Sequence, residues 1–517
     1  MSAIRNCVTS LALIVLSCLC IADISADDNA APPAKDAAAP ALKLALKETA
    51  LGKSDEIIQG TLSISPDSRH VACAAKRGDK FVVVTDGKDG NQYEALDKGA
   101  PVFSADSKHV AYVARKAGKF LIVSDGKEGE GFDEIRKGSF IYSPDCSRMA
   151  YVAKSKDKYL VMVDDVTGKE YKEVGNPMFT PDSKRILYTA HAAEKWCVVV
   201  NGIEGKEYDE VGGLAVSPDS KVIGYAGREG EVGKYKYVAV VDGKETVNCA
   251  SMFQVYFSLD SKHTAWIAAS GINEWSLYLD SVPQKKKYGG WLFTQPLIYS
   301  PDSKRVVYVV APEGKPVVVV DGKEGKTYIT VVNIIFSPDS AHLAYVANTE
   351  GKWMVVKDEK EETLCNGILD GSLAFSPDSQ HVGCIAMFGK QMAAVLDGKE
   401  GMRYDSAVGF VFSPDSKRTA YLAKAGGEVF VVADGVEGKH YKGDFGPDTP
   451  MFSADSKHVL CRIKSGDKWV IAVDGAETPE YTRAVAGSKL ILDSPTKCHT
   501  LMERDGKILL AEVEITQ

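Results

Sequence analysis

The chain repeats itself, and this constrains its fold more than any other feature. The stretch "FSPDSAHLAYVA", Phe336 to Ala347, has ten close relatives, running from "ISPDSRHVACAA" at Ile64 to "FSADSKHVLCRI" at Phe452. A worn twelfth copy, "LDSPTKCHTLME", starts at Leu492. The leading Ser or Thr of the motif stands at 65, 104, 143, 180, 217, 258, 300, 337, 376, 413 and 453, so successive units lie 37 to 42 residues apart. Each unit reads as four short strands with turn signals between them. In the eighth, "VVNIIF" is strand a, "SPDS" a turn, "AHLAYVA" strand b and "KWMVVKD" strand c. A polar hairpin, clearest elsewhere as "DGKEG", leads to a short strand d such as "KEYDEV", Lys206 to Val211. Four strands per unit at this period mark a propeller blade, so the expected fold is an all-β propeller.

The repeated residues have physical roles in such a blade. Asp339 and its equivalents follow Pro in a tight turn, where a carboxylate accepts backbone N–H groups. The aromatic before the Ser, such as Phe336 or Phe412, is placed to pack between blades. Eight residues after the Ser stands Tyr112, Tyr151, Tyr188, Tyr225, Tyr308, Tyr345 or Tyr421, but Cys73, Cys384 or Cys461 in three units, which describes a buried packing slot. Strand c opens on Phe81, Phe120, Tyr159, Trp196, Trp353 or Trp469. Pairs such as Asp321-Gly322 and Asp397-Gly398 suit the positive φ angles of hairpin turns.

Twelve units exceed the usual four to eight blades of one ring. Two tandem six-bladed propellers, 51–285 and 286–517, are therefore expected, with one large ring or a seven-plus-five split as alternatives. The sixth unit is the least regular ("LYLDSVPQKKKYGGWLF") and suggests the crossing. The C-terminus supplies three strands, "SKLIL", "HTLME" and "KILLAEVEI", while "DEIIQG", Asp55 to Gly60, reads as an orphan strand d. In tandem rings, 55–60 completes the sixth blade and the strand near 286–292 completes the twelfth, since closure removes exposed sheet edges.

The N-terminus reads as an export signal, residues 1–26. Arg5 precedes the sixteen-residue apolar run "CVTSLALIVLSCLCIA", too short for a membrane span, and "ISA" before Asp27 offers a cleavage site. A lipoprotein anchored at Cys18 of "VLSC" is the alternative. Residues 27–50, rich in Ala and Pro, read as a disordered linker. The expected location is periplasmic or extracellular. Eight cysteines follow the signal with no C-x-x-C, so no zinc site is expected, and export permits disulfides whose pairing the spacing leaves open. A net charge of −8 gives no basic surface for nucleic acid.

The motifs "FSPDSK", "AYVA" and "VVVDGKEG" resemble the TolB-type, WD-like propeller repeats of exported bacterial proteins, over about residues 55–517. The resemblance implies fold; propellers host many unrelated roles. TolB itself carries an additional N-terminal α/β domain, where this chain has a short linker before the first unit. Peptidase relatives join a similar propeller to a hydrolase domain, but no G-x-S-x-G occurs here.

Ser337, Asp339 and His342 invite comparison with a hydrolytic triad. His342 has equivalents at His70, His109, His263, His381 and His458, but other units place Arg148, Arg185, Arg305, Arg418 or Val222 there, and Arg is no general base. The same alternation argues against a ring of metal-binding histidines. "GKEGKT", Gly322 to Thr327, has the wrong spacing for a phosphate loop, and hairpins such as "DGKDGN" lack EF-hand spacing. No metal or cofactor is expected. The longest b–c loop, Arg228 to Tyr237, and "SGINEW", Ser270 to Trp275, single out Gly230, Tyr235, Asn273 and Trp275 as a ligand patch, with strand-c core aromatics as the bland alternative. These features together point to a non-enzymatic exported propeller that binds a protein or peptide. The alternative is a glycan-binding protein, or a hydrolase or lyase with its site in a central funnel.

Overall fold

A computed structural model of the chain describes residues 42–516, apart from 98, 231–234, 272–273, 291–296 and 447. The signal and most of the linker, residues 1–41, lie outside the described residues, as does Cys18. No helix among the described residues is long and apolar enough to cross a membrane.

Twelve antiparallel sheets follow one another as the blades of a single propeller ring. Blade 8 is typical, with strand a at Thr330–Phe336, b at Leu343–Thr349, c at Lys352–Lys357 and d at Lys360–Cys365. Strand b is buried on both faces over Leu343–Asn348, because each blade is packed between two others. In blades 2, 3, 4, 9 and 12 strand a is split into two short pieces. Antiparallel order puts the a–b and c–d turns at one end of every blade and the b–c turns and d–a connections at the other.

The expectation of two six-bladed rings is corrected by the strand pairing. Val282–Tyr288 is strand d of its own blade, the sixth, and pairs with Glu274–Leu279. Leu277 and Tyr288 of blade 6 share one core cluster with Val306 and Val317 of blade 7, so no domain boundary falls at 285. The twelfth blade is completed by the N-terminus: Lys43–Lys53 pairs along Lys507–Thr516, Lys43 opposite Thr516 and Lys53 opposite Lys507. The linker reading of 27–50 is therefore wrong from residue 43 onward. Ser54–Glu56 is a short 3-10 turn and not the closing strand. Leu51 of the closing strand, Val71 of blade 1 and Ile508 of blade 12 then share one core cluster.

Candidate functional site

The repeated polar residues form three recurring seams of bonds, two of which join neighbouring blades and one of which does so where Arg replaces His. In the first, Ser337 Oγ donates to Asp339 Oδ1 (2.5 Å) and accepts the His342 backbone N–H (2.9 Å), while Ala341 N–H donates to Asp339 Oδ1 (3.0 Å). The Ser337 hydroxyl, and then the Ala341 amide, hold the Asp339 carboxyl below its ordinary range; in blade 5 the same contacts bring Asp219 to about 2. The Asp backbone N–H points onward to the next blade, where the second Ser of the motif accepts it. Among the described residues nine such bonds occur, including Asp67 to Ser107, Asp219 to Ser261, Asp260 to Ser303 and Asp339 to Ser379, all 2.8–3.0 Å. The accepting Ser takes a positive φ, 66° at Ser340, which the tight turn imposes.

The second seam explains the exchange of His for Arg. His342 Nδ1 lies 2.6 Å from Asp358 Oδ2, and Asp358 Oδ1 accepts the Leu343 N–H. Five further histidines, His70, His109, His263, His381 and His458, bind the hairpin aspartate of their own blade in the same way at 2.6–2.8 Å. Where Arg stands instead, Arg305 Nε reaches Asp321 (3.0 Å) and its Nη1 also donates to the Ser340 and Ala341 carbonyls of the next blade. Both side chains donate to a carboxylate, so both fit. Ser337 itself is fully buried and its hydroxyl proton is directed at Asp339, not at the imidazole of His342. The three residues thus lack the nucleophile–base contact of a triad.

The third seam lies at the outer rim. Tyr208 Oη and Lys206 Nζ of blade 4 both donate to Glu245 in the hairpin of blade 5 (2.8 and 2.5 Å). Tyr328 and Lys326 meet Glu361 likewise. The hairpin stretches "GIEGKEY", Gly202 to Tyr208, and "GKEGKTY", Gly322 to Tyr328, are therefore joints between blades.

The Cys-for-Tyr slot is buried as expected: Cys73, Cys384 and Cys461 are at most 7% exposed. All eight described cysteines are free thiols. Burial pushes Cys73 up to about 11 and Cys384 and Cys461 up to about 12, which keeps them in the unreactive thiol form.

The suggested ligand patch is only partly assembled. Gly230 N–H donates to Asp209 Oδ2 (2.8 Å), and Lys156 to Asp133 and Gly426 to Asp405 repeat that bond, so Gly230 anchors a turn. Trp275 opens strand c opposite Tyr288 and packs against the core shared by blades 6 and 7. Asn273 lies outside the described residues. Tyr235 remains: the Arg228 guanidinium sits 4.2 Å from its ring centroid and 3.0 Å from the Glu210 carboxylate.

Sequence reading missed the wider pattern to which Tyr235 belongs. On the b–c face Arg115 lies over Phe120 (5.6 Å), Arg136 over Tyr159 (4.9 Å) and Arg403 over Phe388 (4.7 Å). Beside Phe388, Met387 is 40% exposed, at a shoulder where most sister units carry Lys, Arg, His or Asn. That contrast between units was the available signal. Elsewhere, clefts of about 420 and 370 Å3 open between blades 10 and 11 and between blades 7 and 8, each lined by mixed charges including Arg418 with Asp434 and Arg305 with Asp321.

No family model matches the chain, and no curated protein does. Solved structures similar to it include a crystal structure of the eukaryotic initiation factor, 12% identical, covering 61% of this chain and 95% of that one with a TM-score of 0.35. Another is the β-propeller domain of the Trilobed protease from Pyrococcus furiosus, also 12% identical, covering 52% of this chain and 94% of that one with a TM-score of 0.26.

Proposed function

We propose that the protein is an exported, non-enzymatic propeller that offers the b–c face of a rigid ring to a protein or peptide partner. The observation that carries this reading is the pairing of Arg with aromatic rings on that face, at Arg115–Phe120, Arg136–Tyr159, Arg228–Tyr235 and Arg403–Phe388. Arg, Tyr and other aromatics dominate the energetics of protein interfaces, because a stacked pair offers a large contact area with little side-chain freedom to lose. Met387 beside Phe388 adds an adaptable apolar contact. The opposite face is occupied by the bonds of the a–b and c–d turns, the Ser, Asp and Arg bonds joining blades and the His bonds fixing each blade's own hairpin. Export rests on the N-terminal charge and apolar run, and on the resemblance to TolB-type repeats.

The test is capture of partners from an envelope fraction by the full chain, beside Tyr235→Ala and Phe388→Ala variants and a glycan array. A protein retained by the parent and lost by the variants is expected. Saturable sugar binding with no protein retained would overturn the reading in favour of a glycan site.

A further inference from the structure

Between most blades the joint is filled by two aromatic rings. One is the strand-d residue opposite the strand-c opener; the other is the Tyr of the next strand b. Seven such pairs have ring centroids 6.0–6.4 Å apart: Tyr93–Tyr112, Phe132–Tyr151, Tyr171–Tyr188, Tyr208–Tyr225, Tyr288–Tyr308, Tyr328–Tyr345 and Tyr404–Tyr421. The joint that closes the ring, blade 12 to blade 1, holds neither. Its strand-d position, opposite Ile508, is Gly52, and its strand-b position is Cys73.

The consequence is visible in the packing. At the joint of blades 2 and 3, Phe132, Ile135, Tyr151, Leu160 and Met162 form one continuous apolar cluster. At the closing joint the corresponding residues fall into two clusters, one around Leu51, Val71 and Ile508 and one around Cys73, Val82 and Val84, with Ile57 touching both. A cavity of about 270 Å3 lined by residues of both lies there, with Leu51, Ile57, Val71, Cys73, Val84 and Ile508 among its walls. Lys53, Glu56 and Arg77 also line it, and Glu56 is ion-paired to both cations at 3.1 and 2.9 Å. An apolar cavity of ~150 Å3 is large enough to bind benzene. The joint of blades 8 and 9 also has two small residues, Cys365 and Cys384, but there Trp353 and Leu373 keep a single cluster.

We propose that the closing joint is a binding site for a phenol ring, which takes the place of the missing aromatic pair. The choice of a phenol follows from the other joints. Tyr208 and Tyr328 donate their hydroxyls to Glu245 and Glu361 in the hairpin of the next blade. In blade 1 the matching hairpin position is Asp89, which accepts from Arg77 (2.7 Å), itself one of the residues lining the cavity. The ligand's ring fills the space between Gly52 and Cys73, and its hydroxyl is directed toward Asp89. Residues 1–41 contain no Phe, Tyr or Trp, so that segment has no ring to place there.

The probe is p-cresol, the side chain of tyrosine as a free molecule, titrated into the full chain by calorimetry with thermal unfolding in parallel. Saturable binding and a rise in Tm are expected, and both should be lost in Cys73→Tyr, which restores the ring found in seven other blades. Photolabelling of the unmodified protein with 4-azidophenol keeps the test independent of how that variant folds. Label is expected within residues 51–57, 71–77 or 84–87. Absence of saturable p-cresol binding, equal binding by a folded Cys73→Tyr protein, or label confined to other segments would overturn the proposal.

Discussion

The backbone N–H of Asp339 donates to Ser379 Oγ of the following blade at 3.0 Å, and Ser379 is 1% exposed. The bond crosses from one sheet to the next, and its equivalents cross most of the other joints. Removing the hydroxyl takes away the buried acceptor of a bond that crosses between blades. Ser379→Ala is expected to lower stability by ~1–3 kcal/mol, read from the urea midpoint. Where blade 3 carries Cys146 at this position, Cys146→Ser should supply the missing acceptor to Asp106 and gain about 0.5–1.5 kcal/mol. An unchanged or lower midpoint for Cys146→Ser would show that the joint is set by something other than this bond.

Among the described residues Arg462 is the one fully buried arginine, 1% exposed, and all of its N–H directions are used. Its guanidinium donates to both oxygens of Asp448, to Ser488 Oγ and the Ser488 carbonyl, and to Thr500 Oγ1. It thereby ties blade 11 to blade 12. Arg462→Ala should cost about 3–5 kcal/mol, because it strands the largely buried Asp448 carboxylate without its cation. A double variant that also replaces Asp448 with Asn should recover part of the loss, and a thermodynamic cycle in urea checks this.

Acid stability follows from the motif aspartates. The native carboxyls of Asp339, Asp302, Asp260 and their equivalents are held below their ordinary range, Asp219 at about 2, chiefly by the motif hydroxyl. A depressed native value means that the stabilisation is fully present above the unfolded value of ~3.9 and is lost as pH falls through the native one. The urea midpoint should decline between about pH 4 and pH 2, and replacing Asp219 with Asn should shallow that decline. A midpoint that is level across this interval would contradict the assignment.

One closed ring and two separate rings differ in what half a chain does. A fragment spanning 55–288 contains six blades, but its first and last faces meet partners only in the intact ring. It is expected to aggregate or to lose cooperative unfolding, whereas a true six-bladed domain would melt sharply by itself. Deleting 42–53 from the full chain should also lower Tm, since Leu44, Leu46 and Leu51 leave the core clusters of the last joint. Calorimetry on both proteins distinguishes the two architectures.

Much of this was legible in the sequence because repeats report on local surroundings. The blade, its four strands, the Asp turn and the Tyr-or-Cys slot all follow from residues that sit side by side. The partner of His342 was also within reach: His or Arg and the hairpin Asp are sixteen residues apart at His342–Asp358, Arg305–Asp321 and Arg418–Asp434. The number of rings was not legible, because the joint between blades 6 and 7 uses the same chemistry as any other joint and carries no mark of its place in the circle. The closing strand was hidden by the Ala- and Pro-rich stretch before it, although Leu44, Leu46 and the alternating exposure of Lys43–Lys53 have the period of a strand. The Arg–aromatic face escaped because its members are far apart in sequence and differ from unit to unit.

The pairing of Lys43 with Thr516 has a consequence in time. A ribosome makes residue 43 long before residue 516, so the strand pair that closes the ring cannot form until residues 507–516 have been made. Throughout synthesis, and through any passage across a membrane, the protein is an open arc with a bare face at each end. Eleven joints can form in order as the chain emerges; the twelfth must wait for Lys43–Lys53 to meet Lys507–Thr516. Glu48 helps that meeting to be selective, since it accepts from Tyr481 Oη at 2.7 Å and also pairs with Arg504. The first of the described strands to be made is the last to be seated.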